Sequence, residues 1–249
     1  IPGGATLIED VSRMEGDVLA LLNDGSGTFS EALIPGLDHL PGYAMGLYPA
    51  DLDRDGDIDL VYTSLGPNLI LENTNGTFVA TPLANANTDW STAALIFDAD
   101  GDGWLDILIG NYVDWSAEKD LFCSTDGSTK GYCTPELYEG VTASFFRNRG
   151  DGSFYEDTSG TGFEAIEGKT LGLAMADVNA DGLPDVLVAN DTDPDQMLIN
   201  QGEGSFIDEG IVSGLAFDER GRARAGMGID SGITDDSDKE TVFVGNFSD

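Results

Sequence analysis

Three stretches of the chain repeat one pattern: an apolar run, a nine-residue acidic loop, and a second apolar run. Tyr43-Ala44-Met45-Gly46-Leu47 leads to Asp51-Leu52-Asp53-Arg54-Asp55-Gly56-Asp57-Ile58-Asp59, followed at once by Leu60-Val61-Tyr62. The pattern returns as Ala93-Ala94-Leu95-Ile96-Phe97, Asp98 to Asp106 and Ile107-Leu108-Ile109, and again as Leu171-Gly172-Leu173-Ala174-Met175, Asp177 to Asp185 and Val186-Leu187-Val188. The runs are short and bounded by Gly, Asn or Pro, and no segment sustains apolar residues at i, i+3, i+4 and i+7, so strands are predicted on both sides of each loop.

A second signature follows: NDGSGTF at 23–29, NRGDGSF at 148–154 and NQGEGSF at 200–206, with a shortened form ending in Asn75-Gly76-Thr77-Phe78. Paired glycines after an Asn, flanked by apolar runs such as Met197-Leu198-Ile199, predict a hairpin turn that needs positive φ. The two signatures together give four strands per unit, and units of this size and content are what propeller blades look like in sequence. The acidic loops begin at residues 51, 98 and 177, so the second unit carries an insertion, and that insertion holds both cysteines.

The expected fold is therefore all-β: a β-propeller-like array of about four four-stranded blades in a single domain, 1–249. Its units are 1–40 (half blade), 41–85, 90–160, 168–212 and 225–249 (half blade). Residues 17–30 have the character of third and fourth strands, and 241–247 that of a second strand. The two half blades are expected to complete one another, within the chain, between copies, or in a longer propeller of which this is a piece. Closure within the chain is the arrangement that needs no partner.

Composition sharpens the picture. The chain has 249 residues, 41% of them hydrophobic, which is enough for a buried core, and its 33 Gly suit tight turns between short strands. Eleven Lys plus Arg stand against 46 Asp plus Glu, a formal charge of −35. Such a chain repels itself unless cations sit among its carboxylates, and nucleic acid is excluded as a partner. No apolar run reaches the ~20 residues of a membrane span, so membrane insertion is not expected. The Ile1-Pro2-Gly3-Gly4 start lacks a leader pattern and reads as a mature chain or a fragment. Cys123 and Cys133 lie in a polar loop and are expected to form a disulfide in an oxidising compartment, with free thiols as the alternative.

The loop itself carries the chemistry. Asp at positions 1, 3, 5 and 9 aims side-chain oxygens at one centre, Gly at position 6 allows the bend, and the position 7 carbonyl adds an oxygen; this hard-oxygen set suits Ca²⁺. The expected ligands are Asp51, Asp53, Asp55, Asp57 and Asp59 in the first loop, Asp98, Asp100, Asp102, Trp104 and Asp106 in the second, and Asp177, Asn179, Asp181, Leu183 and Asp185 in the third. About three calcium sites result. An EF-hand would need a carboxylate at position 12, where Tyr62, Ile109 and Val188 stand. A fourth loop is eroded, with Ile233 at position 1, Asp238 at position 6 and Thr241 at position 9, and it is not expected to hold calcium tightly.

These residues resemble FG-GAP/VCBS repeats, whose loops are similar to the calcium loops of integrin α-subunit propellers. More narrowly, NYVDW at 111–115, YCTP at 132–135, ANDT at 189–192 and GMGID at 226–230 resemble the secreted group that includes cartilage acidic protein and the ASPIC/UnbV-domain proteins. The resemblance implies a non-catalytic extracellular propeller used in adhesion, matrix contact or assembly. Propellers of that group commonly have about seven blades, and an ASPIC/UnbV domain is not seen before Asp249.

Function follows as an expectation. The chain reads as a secreted calcium-binding module at the extracellular, cell-surface or periplasmic side, binding an extracellular protein, a glycan or copies of itself. The alternative is a carbohydrate-active propeller enzyme, a glycan hydrolase or lyase using carboxylates alone. There is one histidine, His39, and neither a Gly-x-Ser-x-Gly elbow nor a phosphate loop. Asn75, Asn190 and Asn246 head candidate glycosylation sequons. Arg222 and Arg224 form a compact basic spot suited to an acidic neighbour, and Trp90, Trp104 and Trp115 gather around the second unit, suited to stacking on sugar or to burial.

Overall fold

The structure, a computed structural model, describes residues 15–16, 18–83, 89–234 and 240–247. Short strands β1 (Glu15–Gly16), β2 (Ala20–Asn23), β3 (Phe29–Ala32) and β4 (Leu40–Pro41) come first. Next, β5 (Tyr43–Ala50), β6 (Asp59–Leu65), β7 (Leu69–Thr74) and β8 (Thr77–Pro82) form an antiparallel sheet in sequence order. The second sheet uses β9 (Ser91–Phe97), β10 (Asp106–Asn111), β12 (Ser144–Asn148) and β13 (Phe154–Glu156). The insertion before β12 includes β11 (Val141–Thr142), which pairs with β14 (Glu167–Gly168). A third sheet follows, made of β15 (Thr170–Ala176), β16 (Asp185–Asn190), β17 (Gln196–Asn200) and β18 (Phe206–Asp208). Helix α1 (Gly210–Ser213) leads to β19 (Gly226–Ile233) and β20 (Glu240–Asn246), which among the described residues pair only with one another.

The apolar runs after the loops do not alternate because both of their faces are covered. Every residue of β10 and of β16 is buried, as expected for the second strand of a sheet packed between two others. The cores lie between successive sheets. Val61, Ile107, Ile109 and Phe146 join the first sheet to the second, and Leu108, Phe145, Val186, Val188 and Leu198 join the second to the third. Ala174, Leu187, Ile229 and Val242 continue the series to the last pair of strands.

The linkers between blades plug these cores. Phe163, fully buried, sits 4.8 Å from the Phe145 ring and 4.4 Å from the Phe206 ring. Its neighbour must be glycine: Gly162 has φ 99°, and a Cβ there would lie 2.0 Å from the Phe206 carbonyl oxygen, whose own N–H donates to the Thr161 carbonyl at 2.6 Å. Gly36 repeats the arrangement two blades earlier, with a Cβ that would fall 1.8 Å from the Phe78 carbonyl oxygen.

Closure of the two half blades within the chain is not seen among the described residues. β2 pairs only with β3, and no backbone pairing among the described residues joins this hairpin to β19 or β20. β19 and β20 pack on the third sheet, while Val18 and Ile34, which flank the β2–β3 hairpin, pack on the first. Asp17 lies outside the described residues.

Cys123 and Cys133 are disulfide-bonded with Cα atoms 5.2 Å apart. No helix among the described residues is long and apolar enough to cross a membrane. Near the turn between β16 and β17, Asp195 is 6% exposed and accepts the Asn190 N–H at 2.8 Å; burial pushes its carboxyl up to about 6.

Two expectations follow. Replacing both cysteines with serine removes a short-loop constraint worth a little under ~3 kcal/mol, lowering the melting temperature by several degrees while leaving the sheets intact by circular dichroism; an unchanged melt contradicts this. A raised carboxyl costs stability at neutral pH, and the cost is relieved as pH falls through about 6 toward the unfolded value of 3.8. Asp195→Asn is therefore expected to melt higher than the parent at pH 7.5, with the difference gone near pH 4; a difference that persists at pH 4 rules out this cause.

Candidate metal centres

Each acidic loop joins the first and second strands of its sheet, and each is curled by its own carboxylates. In the first, Asp51 Oδ2 accepts the Gly56 N–H at 3.2 Å, Asp53 Oδ1 that of Asp55 at 3.0 Å and Asp55 Oδ1 that of Asp57 at 2.8 Å. The second repeats this: Asp98 accepts the Gly101 and Gly103 N–H groups, Asp100 that of Asp102 and Asp102 that of Trp104. In the third, Asp177 accepts from Gly182 and Asp181, and Asp181 from Leu183.

Two of the loops bring carboxylate oxygens together. One oxygen each from Asp51, Asp53 and Asp59, and one each from Asp98, Asp100 and Asp102, lie within 4.8 Å of one another, and both clusters could hold a metal ion. Asp51 Oδ1 is buried and has no hydrogen-bond partner. In the third loop position 3 is Asn179, whose amide donates to Asp181 Oδ2 at 2.9 Å, and among the described residues no such trio of acids forms there. Residues 235–239 of the fourth loop lie outside the described residues.

Position 9 differs from the rest. Asp59 accepts the Leu52 N–H at 2.9 Å and the Asn73 N–H at 2.8 Å; Asp106 accepts from Ala99 at 3.3 Å and Asn148 at 2.9 Å; Asp185 accepts from Val178 at 2.9 Å and Asn200 at 2.8 Å. Each carboxylate thus ties the start of its loop to the third strand. Burial raises all three carboxyls above the usual range, Asp106 to about 6, against the lowering by these hydrogen bonds.

Two of the residues that receive this clasp, Asn148 and Asn200, lead the glycine signature and are read in sequence only as turn formers; Asn73, in the shortened unit, is not singled out there. Asn73, Asn148 and Asn200 accept the N–H groups of Gly76, Gly150 and Gly202, each at 2.8 Å. Their amides donate to the position 8 carbonyls of Ile58, Leu105 and Pro184. Asn148 also reaches the Leu52 carbonyl of the preceding blade's loop at 2.9 Å, and Asn200 the Ala99 carbonyl at 3.3 Å. The recurrence of Asn in register with the loops was the available signal.

Side chains add further ties. Arg147 pairs with Asp100 and, at 2.8 Å, with Asp157. Arg54 of the first loop stacks 4.2 Å over Trp104 of the second, while Trp90 packs edge-on against Tyr112 and Trp115. The three tryptophans therefore do not form one platform. Asn190 is 1% exposed with its amide bonded to the Pro194 carbonyl, so it is closed to a glycan; Asn75 and Asn246 are exposed, and Ser248 of the last sequon is outside the described residues.

FG-GAP-like repeats match residues 11–62, 51–109 and 118–188, each match ending just beyond an acidic loop. The chain belongs to this FG-GAP-like repeat family. No curated protein matches it. Among solved structures, it is similar to an Agrocybe aegerita lectin described as recognising non-reducing terminal N-acetylglucosamine, at 20% identity and a TM-score of 0.45. That alignment covers 76% of this chain and 45% of the lectin, so the FG-GAP chain spans under half the length of that neighbour.

The asparagine clasps generate a graded expectation. Asn200→Ala strips two donors and one acceptor from buried and part-buried partners and should cost about 2–4 kcal/mol of stability. Asn23→Ala, whose described bond is to the exposed Gly25 N–H at 2.9 Å, should cost under about 1 kcal/mol. Equal losses in chemical denaturation would contradict the blade-to-blade role.

Proposed function

We propose that the chain is a calcium-stiffened binding module of the extracellular or periplasmic space. The observation that carries this is the buried Asp51 Oδ1 without a partner, inside a loop that gathers three carboxylates. A lone buried acceptor is costly, and several acids side by side are costlier still; a divalent ion resolves both. Oxygen-only donors on a curled loop fit calcium, which would sit between the side chains of Asp51, Asp53, Asp55 and Asp59 and the Asp57 carbonyl. The corresponding groups are Asp98, Asp100, Asp102, Asp106 and the Trp104 carbonyl in the second loop, and Asp177, Asn179, Asp181, Asp185 and the Leu183 carbonyl in the third. The disulfide supports an oxidising compartment.

The carboxylates of the loops are engaged in holding backbone, which favours a binding role over the hydrolase or lyase alternative. The partner is an extracellular protein, a glycan or another copy. An assembly role is favoured by one further observation: Leu21, Leu22 and Phe29 at one flank and Phe243 at the other are exposed on two-stranded sheets, and unpaired strand edges accept further strands. The narrower likeness to the cartilage acidic protein group agrees with this reading.

Calcium bound only by the folded chain adds to its stability by mass action. Excess chelator is expected to lower the melting temperature by ten degrees or more, on the order of several kcal/mol, with recovery on adding calcium but not magnesium. A melt indifferent to chelator, with no metal detected, would sink the proposal.

A further inference from the structure

The three acidic loops share a spacing but not an electrostatic setting. In the first, Asp51 spends one oxygen on the Gly56 N–H and keeps the other, Oδ1, buried without a hydrogen-bond partner. Asp53 accepts the Asp55 N–H, and among the described residues no basic side chain pairs with it. In the second loop both Asp98 oxygens are taken, by the Gly101 N–H at 2.8 Å and the Gly103 N–H at 2.9 Å. Both Asp100 oxygens are taken as well: Oδ1 accepts the Asp102 N–H at 3.0 Å, and Oδ2 pairs with the Arg147 guanidinium. The third loop has the neutral Asn179 at this position.

The sheet places Arg147 for this contact. It stands on β12 immediately before Asn148, and the same place holds Glu72 in the first sheet and Ile199 in the third, so the cation is peculiar to the second loop. Its side chain is 15% exposed, and Nε is tied to Asp157 at 2.8 Å. Nη2 lies against the hairpin of the third sheet, where a Cβ on Gly204 would come within 2.7 Å of it. These neighbours fix the planar fork with Nη1 on Asp100. A positive charge a few ångströms from a divalent ion repels it, and a carboxylate held in a charge-assisted pair must give that pair up to serve a metal. Both effects weaken the second loop, and the first loop is subject to neither.

We propose that Arg147 is a built-in competitor for the metal at the second loop: it holds Asp100 in the calcium-free protein and releases it as calcium enters. The first loop then fills at low calcium and the second only at higher calcium. The inference rests on the calcium reading of the loops and makes one of them a sensor rather than a permanent brace. The released guanidinium keeps Asp157 as its partner, so the exchange leaves no buried charge unpaired. Because Nη2 lies against Gly204, occupancy of the second loop is also felt at the seam between the second and third sheets.

The test is a titration of the chelator-stripped full chain with calcium alone, followed by NMR at the position 6 amides of Gly56 and Gly103. Gly56 should reach its midpoint at about tenfold lower calcium than Gly103. Arg147→Gln should lower the Gly103 midpoint about fivefold and leave that of Gly56 within about twofold, while Arg147→Lys, which keeps the charge, should stay closer to the parent. Arg54→Gln removes a guanidinium that stacks on Trp104 but pairs with no carboxylate among the described residues, and it should move the Gly103 midpoint less than Arg147→Gln does. The parent supplies a second reading should Arg147→Gln not fold: the Arg147 Nε–H and Gly204 amide resonances should shift at the Gly103 midpoint and not at that of Gly56. Equal midpoints for the two glycines in the parent, a Gly103 midpoint unmoved by Arg147→Gln, or an Arg147 resonance indifferent to calcium would overturn the proposal and leave the calcium reading standing. If neither glycine responds to calcium, the calcium reading fails and the proposal fails with it.

Discussion

A buried carboxylate that accepts two backbone N–H groups, one from its own loop and one from the third strand, is the joint on which every complete blade depends. Asp59, Asp106 and Asp185 fill this role in the three sheets. Such a group is stable as an anion only while its hydrogen bonds hold or a cation stands near. The loop around it is therefore not a passive turn. Its shape, the ends of two strands and the leading asparagine of the hairpin are one cooperative unit.

That unit extends across blades. Asn148 and Asn200 carry the joint of one blade to the loop of the blade before it, through the carbonyls of Leu52 and Ala99. Phe163 and the glycine beside it fill the interface between the second and third sheets. A change at one acidic loop is thus felt by the next sheet through hydrogen bonds and through packing.

The strand content, the loops, the hairpins and the cysteine bridge were legible because each is a local pattern: apolar runs, carboxylates at alternate positions, and glycines after asparagine. The placement of the half blades was less so. Each family match ends just past an acidic loop, at residues 62, 109 and 188, so the sequence repeat runs from the outer strands of one blade into the inner strands of the next. A chain in that phase begins with outer strands and finishes with inner ones, and whether those halves meet depends on how far the sheets turn, which no local pattern encodes. The second duty of Asn148 and Asn200 was hidden for a related reason. A turn former and an interblade donor look alike in one dimension.

The most direct measurement is amide hydrogen exchange with and without calcium, read at the donors that meet the buried aspartates: Leu52 and Asn73, Ala99 and Asn148, Val178 and Asn200. If the metal and the carboxylate joint form one unit, these six amides are protected together in the calcium-loaded protein and lose protection together when calcium is removed, ahead of global unfolding. Protection at these positions that is unchanged by calcium removal would contradict the account, because the joint would then stand without the ion.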